Sequence, residues 1–172
     1  MVTIVIPFAG AEGKTRLQAP VEVRSALAAA MLADVEAASR GVGEILVADQ
    51  PGGQGAAVAA ALAGVEGPIA VVNADLPCAT PADIRRLVDS APALVAAADG
   101  TTNALSLRAA EDFAPLYGPG SAMRFGAHTN AGLIELPNLA DDVDTMDDLV
   151  RLQPRLGPHT RAALARLQRS VA

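Results

Sequence analysis

Three stretches of this 172-residue chain combine residue types and spacings that could handle phosphates and metal ions. The first is Gly10-Ala-Glu-Gly13-Lys14-Thr15-Arg16. Glycines let the backbone come close to a phosphate, and Lys14 and Arg16 could neutralise its charge. The spacing is not that of a P-loop, so an ordinary polar loop is the competing reading. Lys14 is the single lysine of the chain, which favours a role for it. The second stretch is Asn73-Ala-Asp75-Leu-Pro77, directly after an apolar run. Thr80 already serves as a helix cap there, so Asp75 is left without that task. It is either a ligand for Mg2+, a hard ion that prefers oxygen, or a solvated loop acid. The third is Asp141-Asp142-Val143-Asp144. In extended chain Asp142 and Asp144 point the same way, and crowding them costs repulsion unless a cation sits between. Asp144 could instead cap the next helix beside Thr145. Asp147 and Asp148 fall in that helix's first turn and serve its dipole.

Two small-residue loops complete the candidates: Asp99-Gly-Thr-Thr102-Asn103 and Tyr117-Gly118-Pro-Gly-Ser121. Ser121 begins a predicted helix, where free N–H groups make an anion site. Taken one at a time, the same residues read as two turns and an N-cap. His128 and His159 lack metal-ligand spacing, and Cys78 reads as a small apolar residue. No Ser-His pair is evident.

These residues need elements to hold them. Val2–Ile6 is a short β-branched run ending at Pro7, and it reads as a buried strand. A loop spans Pro7–Pro20. Val21–Arg40 carries apolar residues at helical spacing, and Gly41 stops it. Ile45–Ala48 is a second strand, Ala56–Ala63 a short helix and Ile69–Asn73 a third strand. The continuous apolarity of the third strand predicts burial on both faces, as in a parallel sheet. Thr80-Pro-Ala-Asp83 opens a helix to about Ser90. Leu94–Ala98 and Ala104–Leu107 are further strands. Ala109–Leu116 and Ser121–His128 read as short helices, Leu133–Leu136 as a strand, and Thr145-x-x-Asp148 as a capping box opening a helix to about Leu152. Pro158–Gln168 is a last helix. This order predicts an α/β fold, with a mostly parallel sheet between two helical layers.

Composition sets the outer limits. Length predicts one domain. The chain is 51% hydrophobic but has no Trp, one Tyr and three Phe. Ala, Val and Leu must therefore fill the core, which favours helices packed tightly on a sheet. No apolar run approaches the ~20 residues of a membrane span, and the first ten residues lack the features of a secretory signal. A single cysteine excludes an internal disulfide framework. A net charge of −6 argues against nucleic acid as a partner. The expectation is a cytoplasmic globular domain. Charge is uneven: five carboxylates lie within Asp141–Asp148, and five arginines with no acid within Arg151–Ala172. The tail reads as a solvated helix face, with contact to a second subunit as the alternative; local sequence does not decide oligomeric state.

The ordered set GKTRL, NADLP, GTTNALSL, YGPGS and DDVDTMDDL resembles the 2-phospho-L-lactate guanylyltransferase family of deazaflavin coenzyme biosynthesis. The resemblance runs from about Ile4 to Leu152. It implies a three-layer α/β/α nucleotidyltransferase fold of the glycosyltransferase-A-like kind. It implies GTP as donor, with 2-phospho-L-lactate, phosphoenolpyruvate or 3-phosphoglycerate as acceptor, and Mg2+ as cofactor. Lys14 and Arg16 match the family's nucleotide loop, Asp75 its DLP acid, and Asp142 and Asp144 its DVD pair. Thr102, Gly118 and Ser121 match positions that hold the acceptor. The chain departs at Ala9, where members often carry a basic residue, at Met146, where DTPEDL is common, and in being shorter. Two rival readings share these features. One is a nucleotidyltransferase of the same fold acting on a sugar phosphate or molybdenum cofactor; the other is a non-catalytic nucleotide-binding protein.

Overall fold

Apolar side chains alternate across each central strand and so feed two separate cores. The computed structural model describes residues 1–171. Six strands form one sheet: β1 (Thr3–Pro7), β2 (Glu44–Ala48), β3 (Ile69–Val72), β4 (Ala93–Ala96), β5 (Thr102–Leu107) and β6 (Gly132–Leu133). Their spatial order is β2-β1-β3-β5-β4-β6. On one face, Ile4, Ile6, Ala70, Val72 and Val95 pack against Val35, Ile84, Leu87 and Leu139. These come from helices α1 (Val21–Ser39), α3 (Pro81–Asp89) and α5 (Pro137–Ala140). On the other face, Val5, Ile69, Val71, Leu94 and Leu105 meet Ala57, Val58 and Phe125, from α2 (Gln54–Ala61) and α4 (Ser121–Thr129). The three-layer α/β architecture follows from period-2 geometry acting on central strands that carry apolar residues on both faces.

The sheet is mixed. β1 pairs in parallel with β2 and β3, and β4 with β6, whereas β5 runs antiparallel to both β3 and β4. β4 and β5 form a hairpin across Ala97–Thr101, where Gly100 takes a left-handed φ of 81°. Inserting β5 between β3 and β4 puts Thr102 and Asn103 beside the carboxyl end of β3. Several boundaries differ from the sequence expectation. β5 begins two residues earlier, at Thr102, α2 two earlier, at Gln54, and β6 at Gly132. The helix expected over Ala109–Leu116 is only a 3-10 turn, Ala110–Asp112, because Pro115 forbids continuation. The expected loop Pro7–Pro20 contains a 3-10 segment, Gly10–Leu17, kinked at Lys14.

Both sequence-read capping boxes are present. The hydroxyls of Thr80 and Thr145 accept from the backbone N–H groups of Asp83 and Asp148, whose carboxylates bond back. α6 (Met146–Leu152) opens on Met146, so the change from the common proline falls at the first helical position. The arginine-rich tail forms α7 (Pro158–Val171). It is more than a solvated face: Ala163, Leu164 and Leu167 pack on a third cluster with Leu27, Met31, Leu149 and Leu152. Among the described residues no helix is long and apolar enough to cross a membrane.

Arg151 and Arg155 both bond to Asp141, and Arg151 also reaches Asp148. Burial pushes the Asp141 carboxyl up, but the two guanidiniums outweigh it and hold the group below its ordinary value. Its stabilising effect is therefore present above the ordinary carboxylate value and is lost as pH falls through the depressed one. Asp141→Asn should cost about 1 kcal/mol near neutrality, since the pairs are partly exposed. Thermal melts of the two proteins should converge on acidification; a gap that stays constant with pH refutes this.

Candidate active site

Val143 decides how the two acids of the DVD segment point. It is fully buried, and its N–H bonds to the Asp75 carbonyl at 3.0 Å. With Val143 directed into the third core cluster, Asp142 and Asp144 project together on the opposite side. There they meet Asp75, which follows β3. One carboxylate oxygen from each of Asp75, Asp142 and Asp144 lies within 4.8 Å of the others. Burial, then the Asp75 charge and the Asp144 charge, push the Asp142 carboxyl above its ordinary value, partly offset by a hydrogen bond from Asn103. Asp75 Oδ1 is buried and has no hydrogen-bond partner. An orphaned carboxylate oxygen among crowded acids is the donor set a hard divalent cation takes, so these residues fit one.

Lys14 supplies the cluster's internal counter-charge. The kink in Gly10–Leu17 turns its side chain inward, where it is only 8% exposed. Nζ donates to Asp75 Oδ2 at 2.5 Å and to the Val143 carbonyl at 2.7 Å, and stands 3.5 Å from Asp144. Arg16 pairs with the other oxygen of Asp144 at 2.9 Å but is largely exposed.

Two cavities meet at this cluster. The larger, about 750 Å³, runs over Phe8, Ala48, Pro51 and Ala57 to Lys14 and Asp75. The smaller, about 330 Å³, is bounded by Arg16, Thr102, Gly118, Ser121, Asp142 and Asp144. Lys14 thus faces the first and Arg16 the second. Ala9, at the departure from the family pattern, lines the larger cavity.

The two small-residue loops come together. The Ser121 hydroxyl accepts from the Thr102 N–H at 2.9 Å and donates to the Thr102 Oγ1 at 3.1 Å. Ser121 begins α4 as expected, yet the helix start is not a free anion site. Its N–H bonds to the Gly118 carbonyl, and that of Ala122 to the Gly100 carbonyl. The loop conformation requires glycine at 118 and 120, with φ of 108° and 72°. Arg124, which sequence reading missed, fastens this loop by donating to the carbonyls of Leu116, Tyr117 and Pro119.

Sequence reading placed Asn73 and Asn103 in candidate loops without giving their carboxamides a role, and it passed over Gln54. Asn103 donates to Asp142 Oδ1 and the Ala140 carbonyl. Gln54 donates to Asn73 Oδ1, and Asn73 Nδ2 donates to the Thr102 carbonyl. Their position at strand and helix ends, where α/β proteins bind ligands, is the signal for such roles.

No protein-family model matches the sequence. Curated proteins do. The phosphoenolpyruvate guanylyltransferase of Streptomyces coelicolor is 37% identical over 175 residues, 84% of this chain and 79% of that protein. The 2-phospho-L-lactate guanylyltransferase of Halobacterium salinarum is 36% identical over 170 residues, 85% of this chain and 81% of that protein. A match to the Streptomyces scabiei phosphoenolpyruvate guanylyltransferase, at 38% identity, spans about half of that protein's length (51%). Among solved structures, a hypothetical transferase from Thermus thermophilus has a TM-score of 0.52 at 19% identity, over 87% of this chain and all of that one. A Mycobacterium tuberculosis protein solved as a complex with manganese has a TM-score of 0.51 at 19% identity, over 90% of this chain and 98% of that one. These two likenesses support the three-layer fold; the curated relatives go further, and the chain belongs to the phosphoenolpyruvate and 2-phospho-L-lactate guanylyltransferase family.

Proposed function

We propose that this chain transfers GMP from GTP to the phosphate of a small phosphorylated carboxylic acid, phosphoenolpyruvate or 2-phospho-L-lactate, as one cytoplasmic domain serving coenzyme biosynthesis. The observation that carries the reading is the meeting of a long, partly apolar cavity and a small polar one at three converging carboxylates. The large cavity suits a purine nucleotide and the small one a three-carbon acid. Relatives named for phosphoenolpyruvate and for 2-phospho-L-lactate support both acceptors. Phosphoenolpyruvate is the favoured one, because relatives from Streptomyces coelicolor, Streptomyces avermitilis and Thermomonospora curvata that match most of this chain are named for it.

Asp75, Asp142 and Asp144 would hold Mg2+, which lowers the charge of the α-phosphate when bound. The protein's part is positioning. Lys14 reaches the donor phosphates from the larger cavity, and Arg16 neutralises charge at the smaller one. Thr102, Gly118 and Ser121 shape the acceptor site. The acceptor phosphate oxygen forms a bond to the α-phosphorus as the bond to the β-phosphate oxygen breaks, and pyrophosphate leaves. No proton has to be removed from an already ionised phosphate, which suits a cluster without a histidine. Asn103 keeps Asp142 aimed at the junction.

Pyrophosphate release from GTP and Mg2+, measured with each acceptor in turn, tests the proposal. Release with phosphoenolpyruvate or 2-phospho-L-lactate is expected. Release only with a sugar phosphate or molybdenum-cofactor precursor, or GTP binding with no release at all, overturns it. Lys14→Ala should weaken GTP binding about 10- to 100-fold, the worth of one charge-assisted contact. Unchanged GTP affinity in calorimetry removes Lys14 from the donor site.

A further inference from the structure

Gln54 stands where the two cavities join. With Asn73 and Asp75 it lines both of them. It is the first residue of α2 and follows Gly52 and Gly53, whose positive φ values of 110° and 89° bring the chain round the rim of the larger cavity. Its carboxamide is fixed. One Nε2 hydrogen goes to Asn73 Oδ1 at 2.7 Å. Asn73 is held in turn by its Nδ2 on the Thr102 carbonyl at 3.2 Å and by its N–H on the Asn103 carbonyl at 3.0 Å. A primary amide has two N–H donors and a carbonyl acceptor. Among the described residues, the second Nε2 hydrogen and Oε1 of Gln54 have no protein partner.

We infer that Gln54 binds the ribose hydroxyls of the donor nucleotide, an inference that rests on the guanylyl-transfer reading above. If the reacting phosphorus lies at Asp75, where the cavities meet, and the base lies along Phe8, Ala48 and Pro51, the sugar between them passes Gln54. The free groups of the amide match that sugar. A carbonyl oxygen repels phosphate oxygens, whereas a donor beside an acceptor complements a diol, each of whose hydroxyls both donates and accepts. The phosphates already have Lys14 and the cation that the acidic cluster would hold. Through Asn73 and Thr102 the same amide is tied to the acceptor pocket wall, so the sugar is registered against the acceptor.

Calorimetric titration with GTP and with 2′,3′-dideoxy-GTP, both with Mg2+, tests this on the wild type, Gln54→Ala and Gln54→Leu. The wild type should prefer GTP about tenfold, the worth of one or two neutral hydrogen bonds. Both variants should bind the two nucleotides alike, near the wild type's dideoxy affinity, and still melt cooperatively. A merely structural role would lower both affinities together and keep their ratio. A wild type that does not distinguish the nucleotides overturns the inference, as does a preference that survives in the variants. Because these are binding measurements, they read out even if the wild type releases no pyrophosphate, the result that would sink guanylyl transfer itself.

Discussion

Replacing Asp142 with asparagine should cut guanylyl transfer about 10³-fold or more while raising the melting temperature of the metal-free protein. The two effects share one cause. Asp142 is held close to Asp75 and Asp144, and burial and those charges raise its carboxyl above the ordinary value. A raised value means that ionisation costs the folded state. Stability is then greatest at low pH and falls as pH rises from the ordinary value through the raised one. Asparagine removes that cost, is nearly the same size, and can still accept from Asn103. What it cannot supply is charge for the divalent cation proposed there. Loss of a cation that stabilises a phosphoryl transition state is worth several kcal/mol, which corresponds to about 10³-fold in rate. Melting curves with and without Mg2+, taken beside pyrophosphate release, check both halves. A variant that is less stable without metal, or that keeps its rate, contradicts the cluster as described.

Asp34→Ala should be the most damaging single change to stability away from the site. Asp34 lies on α1, 3% exposed, and its two oxygens accept the N–H groups of His159 and Thr160 at 2.9 Å each. It therefore caps α7 from 125 residues away. Each hydrogen bond to a charged group contributes roughly 1.5–3 kcal/mol, and alanine leaves the buried Thr160 donor and the part-buried His159 donor without their partner. A loss of about 3 kcal/mol lowers the melting temperature of a chain this size by about 6–12 °C. Gly157→Ala probes the same contact from the other side, because an added Cβ would run into the Asp34 carboxylate. It too should destabilise. Melts indistinguishable from wild type in both variants would show that α7 is held by its apolar face alone. GTP affinity at low temperature should be unaffected, since neither residue lines either of the two cavities at the carboxylate cluster.

What could be read from sequence was what is encoded locally. The apolarity of the stretch Ile69–Asn73 announced a doubly buried strand, Thr80 and Thr145 announced helix starts, and the alternation Asp142-Val143-Asp144 announced two acids on one side. Each depends on residues a few positions apart, and backbone geometry over that distance is nearly fixed. The five motifs in order also carried the family. Tertiary structure alone decided what lies across long separations. The reach of Lys14 to Asp75 and Val143 spans 61 and 129 residues, and it exists only because β1 and β3 are neighbours and the segment after Gly10 kinks inward. Nothing in the order of elements said that β5 would insert antiparallel between β3 and β4, yet that insertion puts Thr102 and Asn103 beside Asn73 and Asp142. Gln54 looked like part of a turn before a short Ala-rich helix, and Ser121 like an open helix terminus. Their partners were settled by packing: hydrogen bonds inside a closed fold go to whichever groups the sheet topology brings within about 3 Å, and a linear pattern does not contain that information.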